Sequence, residues 1–292
     1  MIVPDLTLFD SLAFSLDQTT SNLQVAEQQL ATGKRVIQPS DDPVAYTEAQ
    51  LSNQQQSAVS NDLLLAQQAQ GRLATVDNAL ANVSSAVNSA LVSATQGADG
   101  SVDPAQMKLI GGQIQGILDQ VITAADLQYA GSHAFAGNQV LTTPFNPLGA
   151  YAGDSGTNSV TFSDGTKLQL SFDGKSIFGD NTTGLIGTLS SLMTALNAGN
   201  KAAVSATLPQ LQAALQTLVQ SRSLVGINLN AASNLLNSSN AELTILQTAS
   251  DSLVGVDVAQ AAMHQQETLL QQQALVSLGT SFGKLPLVNI LA

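Results

Sequence analysis

The chain has 292 residues and a formal net charge of −12; 44% of residues are hydrophobic, 10% charged and 4% aromatic, with no Trp and no Cys. Disulfides, thiolate metal sites and Cys nucleophiles are therefore excluded, and the acidic balance argues against nucleic acid or an anionic membrane as partner while leaving a basic protein surface open. With so few aromatics a core of bulky rings is not expected, whereas the abundance of Ala, Gln, Ser, Asn and Thr suits long helices packed through small side chains.

Met1-Ile2-Val3-Pro4-Asp5-Leu6-Thr7-Leu8-Phe9-Asp10 has no basic start, and its acidic residues interrupt any apolar run, so no cleaved secretory signal is predicted. From Phe9, apolar or small residues recur at Leu12, Leu16, Thr19, Leu23, Ala26 and Leu30, a three-and-four alternation that predicts a helix with one coiled-coil seam. Gly33-Lys34-Arg35 reads as its C-terminus, with a left-handed glycine cap and two cations beside the negative end of the helix dipole. Asp42-Pro43 then reads as a helix start, because Asp42 can cap free amides and Pro43 loses no bond in the first turn.

A second helix is expected from Ala45 to about Gln96, on the spacing of Leu63, Ala66, Leu73, Val76, Leu80, Val83 and Val87. Asp103-Pro104 opens a third, carried by Met107, Ile110, Ile114, Leu118, Val121 and Ile122 to about Gln128. Between Gly131 and Gly184 the texture turns to Gly, Pro, Asn, Asp and Phe, and Asp164-Gly165 between Val160-Thr161-Phe162 and Leu168 to Phe172 predicts a β-hairpin. Helices resume over Leu185 to Asn197 and from Ala202 to about Gly255, with Pro209 marking a kink or a restart. The last seam reads Val258, Ala262, Gln265, Leu269, Gln272, Val276 and Gly279.

The expected architecture is mainly α with a small β domain: an elongated antiparallel helical bundle or coiled coil formed by the N- and C-terminal segments. Residues 1–45 and 250–292 are the terminal coiled-coil segments, 46–130 and 185–249 a helical rod, and 131–184 a small β-rich outer domain. The terminal seams include Thr, Ala, Gln and Gly, too little apolar surface to offset the entropy of ordering two long segments, so neighbouring copies are expected to cover them. Phe9, Leu12, Leu16, Leu23, Leu30, Val258, Ala262, Leu269 and Val276 are the candidate assembly residues.

Leu30-Ala31-Thr32-Gly33-Lys34-Arg35-Val36-Ile37-Gln38-Pro39-Ser40-Asp41-Asp42-Pro43-Val44-Ala45 resembles the early segment of the hook–filament junction proteins of the flagellin family. His133-Ala134-Phe135-Ala136-Gly137-Asn138, Pro144-Phe145, Tyr151-Ala152-Gly153-Asp154 and Gly174 to Phe178 look like that family's middle domain, and Val256-Asp257-Val258-Ala259-Gln260-Ala261 like the start of its C-terminal helix. The resemblance implies a non-enzymatic axial protein of the bacterial flagellum, exported unfolded by the flagellar type III apparatus and escorted by a chaperone on its C-terminal region. It further implies self-association into a ring between another hook-associated junction protein and flagellin. Flagellin itself is the alternative, although that branch usually carries an Ala-Lys-Asp-Asp-Ala type string where this chain has Pro39 to Pro43; a non-axial coiled-coil adaptor is the third reading. Gly255, Pro286 and the residues after Gly226 depart from the family pattern.

Catalytic signals are thin. Gly153-Asp154-Ser155-Gly156 matches the string around a serine nucleophile, but only His133 and His264 could serve as base. His264 and Glu267 lie one helical turn apart without an evident third ligand, Asp41 and Asp42 fit helix capping, and Asp154, Asp164, Asp173 and Asp180 sit in turn-like loops. No glycine-rich phosphate loop is present, and no cofactor or metal is predicted.

Overall fold

Long stretches free of Gly and Pro, bounded by caps, give the chain its architecture. The computed structural model describes residues 3–283, without the side chains at 3–6, 8, 9, 282 and 283. In chain order the elements are α1 (Val3–Thr32), α2 (Pro43–Ala98), α3 (Pro104–Ala125), β1 (Gln128–Tyr129), β2 (Ser132–His133), β3 (Ser159–Thr161), β4 (Lys167–Gln169), α4 (Gly174–Phe178), α5 (Gly184–Asn197), α6 (Lys201–Val254) and α7 (Val258–Gly283). Gly33 takes φ +67 after α1, as expected of a left-handed cap. The Asp42 carboxylate accepts the Ala45 N–H at 3.1 Å and that of Asp103 accepts the Gln106 N–H at 2.8 Å, so α2 and α3 start where their Asp-Pro pairs place them. α6 runs unbroken through Pro209. Among the described residues no helix is long and apolar enough to cross a membrane.

The chain divides into two units, one of Met1–Ala58 with Glu242–Ala292 and one of Val59–Ala241; α2 and α6 contribute to both. In the second unit α2 turns Leu73, Val76, Leu80, Val83, Val87, Ala90 and Ala94 inward, an alternation of three and four that keeps one face toward its partners. On α6 the fully buried residues Val204, Leu211, Leu218 and Val225 recur every seventh position. Met107, Ile110 and Ile114 of α3, with Leu185, Leu189 and Leu192 of α5, complete the same core. Beside this core, on the partly exposed flank, Arg222 donates to both carboxylate oxygens of Asp77, at 3.0 and 3.2 Å, a two-pronged pair that joins α6 to α2.

The segment between α3 and α5 is less β-rich than its composition suggests. It holds two antiparallel two-stranded sheets, β1–β2 and β3–β4, and the short helix α4, which went unpredicted because five residues carry too little periodicity to show. Contrary to the composition argument, its rings form a compact aromatic cluster: Phe178 meets Phe135 edge-on at 4.9 Å and Phe145 at 6.0 Å, with Phe172 and Tyr151 packed outside them. Few aromatics suffice because Phe135, Phe145, Phe172, Phe178 and Tyr151 are gathered at one place, in the same core as α2, α3 and α5. Burial pushes the Tyr151 hydroxyl up to about 12, with Asp173 adding to the effect.

The predicted hairpin is present, with the register Val160 to Leu168 and a turn through Gly165 at φ +84. It lies on α2 and α6: Phe162 and Leu168 pack with Ala66, Ala69, Ala232 and Leu235. Asp62 accepts the Ser163 N–H at 3.0 Å, and Asn228 accepts that of Gln169 at 3.1 Å. Arg72 completes the attachment, donating to the carbonyls of Leu170 at 2.7 Å and His133 at 2.9 Å.

Phe178 is fully buried at the centre of the ring cluster. Phe178→Ala is expected to cost about 3–5 kcal/mol in urea unfolding of this unit; a loss below about 1 kcal/mol would show that the cluster is not a determinant of its stability.

Candidate functional site: the paired terminal helices

The loop after α1 and the end of α6 are tied together by main-chain bonds. The Arg35 N–H donates to the Val254 carbonyl at 2.7 Å, and the Val256 N–H to the Gly33 carbonyl at 3.1 Å, so Lys34 and Gly255 form an antiparallel bridge. Gly255 fits its position for a steric reason: a Cβ there would overlap the Asp251 carbonyl, which already accepts the Gly255 N–H. Arg35 also donates from Nη2 to the Leu253 carbonyl at 3.1 Å, so it caps the last turn of α6 rather than that of its own helix.

Two carboxylates hold the loop's shape. Asp41 Oδ2 accepts the N–H groups of Ile37 and Gln38, each at 2.9 Å, while Asp42 caps α2 and stands 3.5 Å from Arg35. Those backbone bonds, from Gln38 and Ile37 on Asp41 and from Ala45 on Asp42, hold both acids below the usual carboxylate value. Their work is thus local geometry, with no catalytic carboxylate pair required.

Beyond this clasp α1 and α7 run antiparallel, since Gln272 meets Thr20 and Gly279 faces Leu12. On α1 Thr19 and Ala26 are buried and Leu12, Leu16, Leu23 and Leu30 half-buried, the face expected of them. On α7 the covered residues are Ala261, Ala262, Gln265, Thr268, Leu269, Gln272, Leu275 and Gly279, with Ala261 and Thr268 the most buried. The predicted series shares Ala262, Gln265, Leu269, Gln272 and Gly279 with them. The two helices lie close at Gly279, where a Cβ would sit 3.4 Å from Leu12 Cδ2.

Ala262 and Leu269 are half-buried as predicted, whereas Val258 and Val276 of the same series are exposed. The side chain of Phe9 is outside the described residues, as is Pro286. Further apolar groups that the sequence reading missed stand in the open: Phe14 is 69% exposed and Val25 50% on α1, while Met263 and Leu270 are 61% and 63% exposed on α7. Met263 and Leu270, two turns apart, share a face with Ala262, Gln266 and Glu267 along an open groove. With one side of each helix already paired, both carry apolar residues on other sides too.

The alternative chemistry does not assemble. Ser155 is exposed, while His133 is buried with one ring nitrogen 2.9 Å from Gln128 Nε2 and the other 3.1 Å from the Asp126 carbonyl, leaving neither to act as base. Asp154 accepts the N–H groups of Asn138 and Gly156 as a loop brace. Among the described residues no group of three His, Cys, Asp or Glu side chains could hold a metal ion.

The profile of the bacterial flagellin N-terminal helical region matches residues 9–140. The chain is 27% identical over 161 residues to flagellar hook-associated protein 3 of Escherichia coli (54% of this chain, 51% of that one). It is 31% identical over 136 residues to the Salmonella typhimurium protein of the same name (46% and 42%). These alignments span about half the length of the relatives they match. In fold the chain is similar to the crystal structure of the flagellar junction protein FlgL from Legionella pneumophila, with a TM-score of 0.59, 16% identity, and 71% of this chain and 100% of that one covered. The chain thus resembles hook-associated protein 3 in sequence and a flagellar junction protein in fold.

Both clasp acids bind their protons less tightly in the fold than in the open chain, so their support is complete above the ordinary carboxylate value of 3.8 and is withdrawn as pH falls through their lower folded values. The amide resonances of Ile37 and Gln38 should accordingly titrate with a midpoint below 3.8, and Asp41→Ala should abolish that movement. Resonances that stay fixed down to full protonation would exclude the clasp.

Proposed function

We propose that this chain is a non-enzymatic structural subunit of the bacterial flagellum that joins the hook to the flagellin filament. Its work is done by surfaces: terminal helices from many copies pack side by side, and the apolar groups left open on one pair are covered by the next. The observation that carries this reading is the exposure of Phe14, Val25, Met263 and Leu270 on two helices that are already paired with each other. The similarity to hook-associated protein 3 supports the junction role over that of the filament subunit.

In this reading the chain self-associates into a ring, meets another hook-associated junction protein on one side and flagellin on the other, and acts outside the cell. It is exported by the flagellar apparatus, with a flagellar chaperone on its C-terminal region. Phe9, Leu12, Leu16, Leu23, Leu30, Val258, Ala262, Leu269 and Val276 contribute to assembly in two ways. The α1 leucines, with Ala262 and Leu269, are half-buried at the margins of the helix pair, whereas Val258 and Val276, with Phe14, Val25, Met263 and Leu270, face neighbouring copies. The domain division follows the same logic, with residues 1–45 and 250–292 as the axial core, 46–130 and 185–249 as a helical rod and 131–184 outermost.

Deleting the gene in a motile host should leave hooks without filaments and release flagellin to the medium, as seen by electron microscopy and immunoblotting; normal filaments would refute the junction role. Leu270→Asp, a change on an open face, should block filament growth while the isolated chain keeps its helix content by circular dichroism. Full filaments in that variant would mean that this face is not an assembly surface.

A further inference from the structure

Sulfur chemistry in this chain is confined to methionine, since there are four Met and no Cys. Met107 is completely buried, Met193 is half-buried against the same core, and Met263 is 61% exposed on α7. Met1 lies outside the described residues. Met263 stands in an open groove with Ala262, Gln266, Glu267 and Leu270.

We propose that Met263 is an oxidation site, and that the state of its thioether sets whether the terminal helices associate with neighbouring copies; this consequence rests on the assembly reading above. The oxidant is a peroxide. With hydrogen peroxide, a sulfur lone pair attacks one oxygen, the O–O bond breaks, a sulfur–oxygen bond forms, and the proton on the transferred oxygen passes to the departing hydroxide, which leaves as water, so that sulfur loses two electrons and the peroxide gains them. Attack needs access to sulfur, which Met263 offers and Met107 does not. The sulfoxide changes a flexible apolar side chain into a polar one carrying a strong acceptor. Pressed between Leu270 and the apolar face of a neighbour, that oxygen loses its water and gains no donor, which opposes association. Met is well suited to such a face because its unbranched thioether adapts to whatever packs on it.

The test treats the full chain with dilute hydrogen peroxide, maps added oxygen by peptide mass spectrometry with the Met1 peptide followed separately, and measures self-association by sedimentation. Met263 should be oxidised well before Met107 and Met193, and association should weaken roughly tenfold or more. Met263→Leu, which keeps an apolar side chain of similar size but has no sulfur to oxidise, should lose no further association on the same treatment, whatever its affinity before it. Oxidation of Met107 or Met193 as fast as Met263 overturns the site. Undiminished association of protein fully oxidised at Met263, or equal inhibition of Met263→Leu, overturns the switch. A chain that fails to associate before treatment contradicts the assembly reading and removes the consequence with it, while the mass spectrum still decides the site.

Discussion

The antiparallel pairing of α1 with α7 is the interaction on which the rest of this account depends. It is made through Thr19, Ala26, Ala261 and Thr268, buried side chains too small to contribute much apolar area, while Leu12, Leu16, Leu23 and Leu30 are only partly covered. Small residues let two helices approach closely, and close approach leaves the larger side chains at the margins of the contact. A pair built in this way is sufficient to define direction and register, but most of its apolar surface stays available to others. The clasp at Gly33 to Val36 and Val254 to Val256 serves the same end by fixing where α1 turns back into α2 and where α6 passes into α7.

The second unit follows a different rule. There the helices carry continuous aliphatic stripes with no need of a neighbour, and the non-helical segment is secured to them by specific polar bonds: Arg72 to two carbonyls, Asp62 and Asn228 each to a main-chain N–H, and His133 within its own loop. Polar groups satisfied in this way, with His133 buried and the others partly covered, select one arrangement of an otherwise loop-rich stretch. One unit therefore closes a core of its own, and the other leaves Phe14, Val25, Met263 and Leu270 exposed.

Much of this was legible in the residues. Gly33, Asp42-Pro43, Asp103-Pro104 and Asp164-Gly165 are local signals whose causes act within a few positions, and each lies at the turn or cap it predicts. The α1 seam was equally plain. The α7 seam was legible in part: Ala262, Gln265, Leu269, Gln272 and Gly279 are covered, but the most buried positions, Ala261 and Thr268, lie one residue earlier, and Val258 and Val276 are exposed. Arg35 was assigned to the wrong helix end because the carbonyl it meets at Leu253 is distant in sequence. The aromatic cluster was hidden because composition counts rings without showing that Phe135, Phe145, Phe172 and Phe178 converge.

The central claim is that the terminal helices are completed by neighbours rather than by each other. Amide hydrogen exchange across residues 12–30 and 258–281, compared between a monodisperse monomer and the assembled state, tests it most directly. The account predicts rapid exchange near Leu16 and Leu269 in the monomer and strong protection after assembly; strong protection of both segments in the monomer would contradict it.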